Sequence, residues 1–297
     1  MINSTTNATT TGRLYFGCPM WSHPYWFGRW FSTSTPKQEA LSHYARRFNS
    51  VEGNTTFYHL PDETTVHRWN DSVGSQFRFS FKFHQDISHK GTLTESIDAA
   101  KQQLRLLSSL QHKLGLMMLQ LPASFDPSQL PDLRNFLSHI APLTTLAVEV
   151  RHPLLFAKGD DEARLNRMLM DHGVNRIIMD TRALFSADAN GDDLLTDVQA
   201  KKPRVPVNVI ATADHPVVRY VGHPDLSANR AFLEPWVRKV TQWLNDGKDV
   251  TFFLHMPDNG MAPWLAELFA GMLRDCGSGH DIPDINLPSL VTQDSLL

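Results

Sequence analysis

The sequence predicts an α/β protein built as a single (β/α)8, TIM-like barrel with parallel strands. Eight short apolar runs alternate with amphipathic stretches along the chain, and strict alternation of strand and helix argues for a parallel sheet. Eight repeats suggest a closed barrel rather than an open one. No Gly-x-Gly-x-x-Gly turn follows the first run, which weakens the doubly wound alternative. The length of 297 residues suits one barrel, since such domains commonly need about 250.

The first expected strand is Leu14–Gly17. Trp21, Tyr25, Trp26, Phe27, Trp30 and Phe31 follow it, and read either as rim packing or as an aromatic wall for a planar or sugar-like ligand. Thr35 before Pro36 then opens a helix over Pro36–Phe48, a capping residue ahead of proline at the first helical position. Ser50–Asn54 is the second strand. In the third, Phe77–Phe83, aromatics alternate with Arg78, Ser80, Lys82 and, just beyond, His84. That period of two sets an apolar face against the helices and a polar face into the barrel. A helix over Glu95–His112 leads to strand Leu116–Leu121, one over Pro127–Ile140 to strand Leu146–Val150, and one over Asp160–His172 to strand Arg176–Asp180. The segment from Thr181 to Pro216 is long and irregular, with one short helix around Asp193–Ala200; loops of that length are usually functional or mobile. Strand Val217–Val221, helix Asn229–Asn245, strand Val250–His255 and helix Ala262–Arg274 complete the pattern.

Residues 1–12 are Ser/Thr/Asn-rich without a charged or apolar region, and read as a disordered leader rather than a signal peptide. Residues 13–276 form the expected barrel domain and 277–297 a C-terminal tail. The formal net charge of −3 lacks the basic surplus of a protein that holds nucleic acid by its phosphates. Nucleic acid is thereby disfavoured as a partner, although a small basic pocket stays open. Two cysteines, Cys18 and Cys276, make no disulfide framework or zinc cluster, and reduced thiols point to a cytoplasmic protein. No run approaches the eighteen or so apolar residues of a membrane helix, so no membrane partner is expected.

Charge comes late in each strand, and barrel sites are built from strand ends at the C-terminal face. Glu52, Lys82 and Glu149 are the candidate catalytic residues. Trp21, Asn54, His84, Gln120, Arg151, His152, Asp180, Arg219 and His255 are candidate ligand-binding residues around the same mouth. Any one of these charges can equally be a structural ion pair, such as Glu52 with Lys82 or Glu149 with Arg219. So many desolvated charges together cost several kcal/mol each unless the pocket is wet or holds a polar ligand. Fourteen histidines leave a metal site open, yet no His-x-x-x-His helix pair anchors one; metal and cofactor stay unassigned.

In the order and spacing of its motifs the chain resembles the YecE-like family of uncharacterised barrel proteins, from Leu14 to Arg274. The matching residues include Gly17 with Trp21 and Trp26, Val51-Glu52-x-Asn54-x-x-Phe57-Tyr58-x-x-Pro61, Phe79-x-Phe81-Lys82, Leu119-Gln120-Leu121-Pro122, and Val148-Glu149-x-Arg151-His152. The resemblance implies a barrel and brings no reaction with it. Some members look distantly similar in fold to metal-dependent endonucleases and sugar isomerases, an analogy that transfers no residue. Where many members carry Arg-x-His-Gly on the seventh strand, this chain has Arg219-Tyr220-Val221-Gly222. Where many end the eighth with Phe-Asn-Asn, it has Leu254-His255-Met256, so no role is carried over at either place.

The leading expectation is an enzyme using acid–base chemistry on a small polar or anionic ligand. Glu52 or Glu149 is its base, Lys82 or His84 its acid or electrostatic stabiliser, and Arg151 with Arg219 its anion clamp. The alternatives are a noncatalytic ligand-binding or scaffold barrel, and a metal-dependent phosphodiesterase acting on nucleic acid.

Overall fold

The computed structural model describes residues 11–277 and 279–288; the expected leader up to residue 10, and the tail beyond 288, lie outside the described residues. Eight strands run parallel: β1 (Leu14–Gly17), β2 (Ser50–Gly53), β3 (Arg78–Lys82), β4 (Leu114–Gln120), β5 (Leu146–Glu149), β6 (Asn175–Asp180), β7 (Val217–Val221) and β8 (Val250–His255). Their hydrogen-bonded order is β1-β8-β7-β6-β5-β4-β3-β2, the connectivity of a TIM-like barrel.

Side chains close the seam between β1 and β2. The Asn49 side chain stands in for a strand, its Oδ1 accepting from Phe16 N (2.8 Å) and its Nδ2 donating to Leu14 O (2.7 Å). Tyr44 Oη accepts from Cys18 N and donates to Ser50 O, and Glu52 N donates directly to Cys18 O at 3.0 Å. Gly17 allows this approach: a Cβ there would lie 2.0 Å from Ser50 O, far inside any real contact.

The helices are α1 (Ala40–Tyr44), α2 (Thr55–Tyr58), α3 (Glu63–Asp71), α4 (Gln85–His89), α5 (Ile97–Leu107), α6 (Leu130–Ile140), α7 (Asp160–Asp171), α8 (Arg182–Ser186), α9 (Asp193–Lys201), α10 (Arg230–Asn245) and α11 (Ala262–Asp275). The expected helix over Pro36–Phe48 is shorter, a 3-10 turn leading into α1. Helix α3, between β2 and β3, is additional to the expected elements; Asp62 caps it by accepting from Thr65 N. Three of the early aromatics are packing: Trp26, Trp30 and Phe31 are buried against Tyr44 and Phe48. Trp26 Nε1 donates to Gly260 O, tying the loop after β1 to the loop after β8.

Period-two alternation puts Phe79, Phe81 and Phe83 into the layer beneath the helices. Inside, Leu116, Met118, Ala147, Ile177, Val217 and Phe253 form a separate apolar plug. Each of these side chains other than Ala147 contributes about 1.5–3 kcal/mol on burial. The plug separates the C-terminal mouth from a second polar recess at the strand starts, lined by Arg13, Arg78, His215 and Asp249. The segment from residue 181 to 216 builds one wall of that mouth. Leu195 of α9 packs on Met179 and Val221, the last inward residues of β6 and β7, so α9 sits across that side of the opening. Beyond α11, Ile282, Ile285 and Leu287 are buried against the barrel, and Trp264 Nε1 donates to Pro288 O.

Candidate active site at the barrel mouth

Above the plug lies a cavity of about 660 Å3. Lys82, Gln120, Arg219 and His255 line it from strands β3, β4, β7 and β8, while Asn54 and Arg151 line it from just past β2 and β5. Glu52 and Glu149, both buried, hold its floor through Arg219. The rigid barrel positions each side chain: these residues end parallel strands on the inward face.

Arg219 is the centre of the network. Its Nε and Nη2 fork onto Glu52 at 2.9 and 2.8 Å, and its Nη1 donates to Glu149 Oε2. Arg151 donates from Nε (2.8 Å) and Nη2 (2.7 Å) to Glu149 Oε1. His255 Nε2 lies 3.0 Å from Glu52 Oε2. Lys82 Nζ donates to Gln120 Oε1 at 2.8 Å but stands 3.8 Å from Glu52. Both carboxylates are thus committed to arginine, and the lysine holds only a neutral amide closely.

These contacts set the charges. Burial alone would raise the Glu52 carboxyl, yet Arg219, then His255, hold it well below the usual carboxylate range. Burial is likewise outweighed at Glu149, where Arg219 and Arg151 bring the carboxyl down to about 2. Burial, then the neighbouring Arg219, push Lys82 down from 10.5 to about 7. Burial brings His255 to about 4 despite Glu52 beside it. At neutral pH its ring is therefore uncharged and donates its Nε2 proton to an acceptor-only carboxylate.

Sequence reasoning did not single out Lys202, which lines the same cavity. It follows the last residue of α9, and burial with the charge of Arg219 lowers it from 10.5 to about 8. Phe57 of α2 also lines the cavity, its ring 5.6 Å from Lys82 Nζ. Four cations (Lys82, Arg151, Lys202 and Arg219) thus face two carboxylates. At the rim Lys201 pairs with Asp197, and Asp258 accepts from Gly260 N.

Besides Glu52 and Glu149, which lie beneath its lining, four expected residues stand apart from this cavity. Asp180 points outward: the inward residues of β6 are Ile177 and Met179, so Asp180 meets the helix layer. There its carboxylate accepts from Arg182 and from Trp236 Nε1 of α10. Trp21 packs edge-on against Trp69, 5.4 Å between centroids, and borders an adjoining recess shared with Glu52 and Asn54. His84 caps α4 by accepting from Asp86 N, and its Nε2 lies 3.0 Å from Tyr58 O. His152 caps the turn Pro153–Phe156, accepting from Leu154 N. In both histidines a ring nitrogen serves the backbone at a helix start. Replacing Asp180 tests the distinction. Asp180→Ala strands the buried Trp236 N–H and should cost about 1–3 kcal/mol in urea unfolding, with no change in anion response; a lost anion response would return Asp180 to the site.

Among the described residues no group of three or more His, Cys, Asp or Glu side chains is placed to hold a metal ion, and no helix is long and apolar enough to cross a membrane.

The family described as "Protein of unknown function DUF72" matches residues 15–286. The UPF0759 protein YecE of Escherichia coli K12 is 40% identical over 284 residues, covering 95% of this chain and 99% of that one. Two solved DUF72 structures share the fold. The Enterococcus faecalis V583 protein has TM-score 0.65 and 17% identity over 93% of this chain and 99% of its own. The Thermotoga maritima MSB8 protein has TM-score 0.65 and 19% identity over 88% and 99%. On the match across its barrel and its likeness to YecE, the chain belongs to the DUF72 family.

Proposed function

We propose that this protein is an enzyme that holds a small anion at the barrel mouth and moves a proton on it. The carrying observation is the gathering of cations: Lys82, Arg151, Lys202 and Arg219 line one cavity over the buried Glu52 and Glu149, while the carboxylates of its lining, Asp197 and Asp258, are exposed at the rim, Asp197 paired with Lys201. Desolvated positive charge of this kind is stabilised by an anionic ligand.

The proton-transfer role falls on Lys82 in this reading, rather than on Glu52 or Glu149. A general base works best with a pKa near the operating pH. Both carboxyls lie far below neutrality, and Lys82 lies at about 7. Glu52 and Glu149 then serve as fixed counter-charges that orient Arg219. What favours a noncatalytic barrel instead is that Arg219, Glu52 and Glu149 already satisfy one another. The protein is read as cytoplasmic, supported by its two free thiols, Cys18 and Cys276, which suit a reducing compartment.

Sulfate should raise the melting temperature of the wild type beyond chloride of equal ionic strength. The excess should shrink as pH rises through 7 to 8, where Lys82 and Lys202 lose their protons. At about 100 times its Kd a ligand adds about 2.7 kcal/mol. Sulfate also stabilises proteins by exclusion from their surface, so Lys202→Ala is the reference: it should keep the general effect and lose the specific one. Equal responses in wild type and variant at every pH would refute the anion site.

A further inference from the structure

The geometry points to Lys82 as an imine-forming nucleophile for a small anion that carries a carbonyl group, such as a 2-oxo acid. The inference rests on the anion-binding reading above and names the substrate class of that site.

An amine that attacks a carbonyl must be buried with its substrate, hold its lone pair free of a proton, and lie beside a clamp for the rest of the molecule. Lys82 sits on strand β3 and opens into the 660 Å3 cavity. The groups facing it are Glu52 from β2, Phe57 from α2, His89 from α4, Gln120 from β4, Glu149 from β5, Arg219 from β7 and Lys202 after α9. Neither carboxylate grips it. Glu149 is taken by Arg151 and Arg219, and Glu52 by Arg219 and His255, at 3.8 Å from Nζ. Two neighbouring cations, Arg219 and Lys202, and the burial itself all favour the neutral amine, which is how a lysine becomes nucleophilic near neutral pH. Arg151 and Lys202 line the same space and can hold a carboxylate one bond away from the reacting carbonyl.

The step balances without an oxidant or reductant. The Nζ lone pair forms a bond to the carbonyl carbon while the C=O π pair moves to oxygen. A proton passes from nitrogen to that oxygen, giving a carbinolamine. The hydroxyl takes a second proton from the Lys202 ammonium and leaves as water as the C=N bond forms. The protonated imine sits beside the fixed charge of Glu52, which stabilises it. Such an imine draws electrons from the adjacent carbon and so permits proton removal or bond cleavage there.

Pyruvate is the probe. The full-length protein is incubated with pyruvate and cyanoborohydride, which delivers hydride to the imine carbon and fixes it as a secondary amine. Intact-mass measurement and peptide mapping then locate the adduct. A single adduct on Lys82 is expected, absent in Lys82→Arg and in Lys82→Met. With pyruvate held at saturation, its yield should grow less from pH 6 to pH 8 than the about hundredfold of a lysine of ordinary basicity. If either variant fails to fold, the mapped position in the wild type decides by itself. An adduct on Lys202, or on exposed lysines such as Lys90, overturns the proposal. So does the lack of an adduct where pyruvate stabilises the protein as sulfate does, although the anion site then stands. No adduct and no stabilisation by either anion overturns both readings.

Discussion

Arg219→Ala should cost about 3–5 kcal/mol of stability, read as a lower urea midpoint with little change in slope. Arg219 is 3% exposed. Its fork holds Glu52, and its remaining nitrogen holds Glu149. Truncation removes the guanidinium that bridges both carboxylates. Glu52 keeps His255, a neutral donor, with Lys82 at 3.8 Å, and Glu149 keeps Arg151. Neither remainder replaces a bidentate guanidinium in a desolvated site, and lysine cannot, because its ammonium is a point charge rather than a fork. Arg219→Lys should therefore fall between wild type and Arg219→Ala. The double variant Glu52→Gln/Arg219→Met should be less destabilised than its two single changes sum to, because it removes the stranded charge together with its partner. A loss within about 0.5 kcal/mol for Arg219→Ala, the range of ordinary surface changes, would mean that the network is not the structural centre of the mouth.

The mouth is legible in the sequence where strand parity applies. In β3 the alternation of Phe79 and Phe81 with Ser80 and Lys82 identifies both faces, and the same period carries Glu52, Gln120, Glu149, Arg219 and His255 inward. Parity is the better guide than charge at β6. Asn175, Ile177 and Met179 alternate with Arg176, Ile178 and Asp180, and an acidic residue late in the strand suggests an inward side chain. The polar set instead faces the helices. Arg176 is buried against Glu162 and Asn166 of α7, and Asp180 against Trp236. A buried ion pair between strand and helix reverses the usual sense of the pattern, and one strand's sequence does not contain its partner.

Lys202 escapes the pattern for a different reason. No period runs through residues 203–216, so nothing local says where that segment turns. Its position follows from Leu195 packing on Met179 and Val221 and from Thr181 Oγ1 donating to Pro203 O, contacts between distant parts of the chain. The available signal is the pair Lys201-Lys202 ahead of Pro203, at the end of a helix too short and too polar to be stable without a docking surface.

Stability should rise steeply between about pH 7 and pH 9, below the range where buried Cys18 opposes the trend, and Lys82→Met should remove much of that rise. Lys82 titrates near 7 in the folded protein and at 10.5 when free. Between those values the unfolded chain holds a proton that the folded chain lacks, so stability increases with pH. Every tenfold difference in proton affinity between the two states is worth about 1.4 kcal/mol. The span therefore amounts to several kcal/mol, with Lys202, near 8, adding in the same sense. The acidic side obeys the same rule. His255 at about 4 against 6.5, and Glu149 at about 2 against 4.5, again bind fewer protons folded than unfolded. Their contribution is complete above the free values and is lost as pH falls through the folded ones. The site therefore disfavours protons throughout, which is the condition an added anion relieves: a bound anion raises both lysines and takes up protons between pH 7 and 10. Urea midpoints at pH 6, 7, 8 and 9 for wild type and Lys82→Met measure the difference directly. Parallel curves would mean that Lys82 stays protonated across the range, and would leave neither the proton-transfer role nor the imine with an amine to work through.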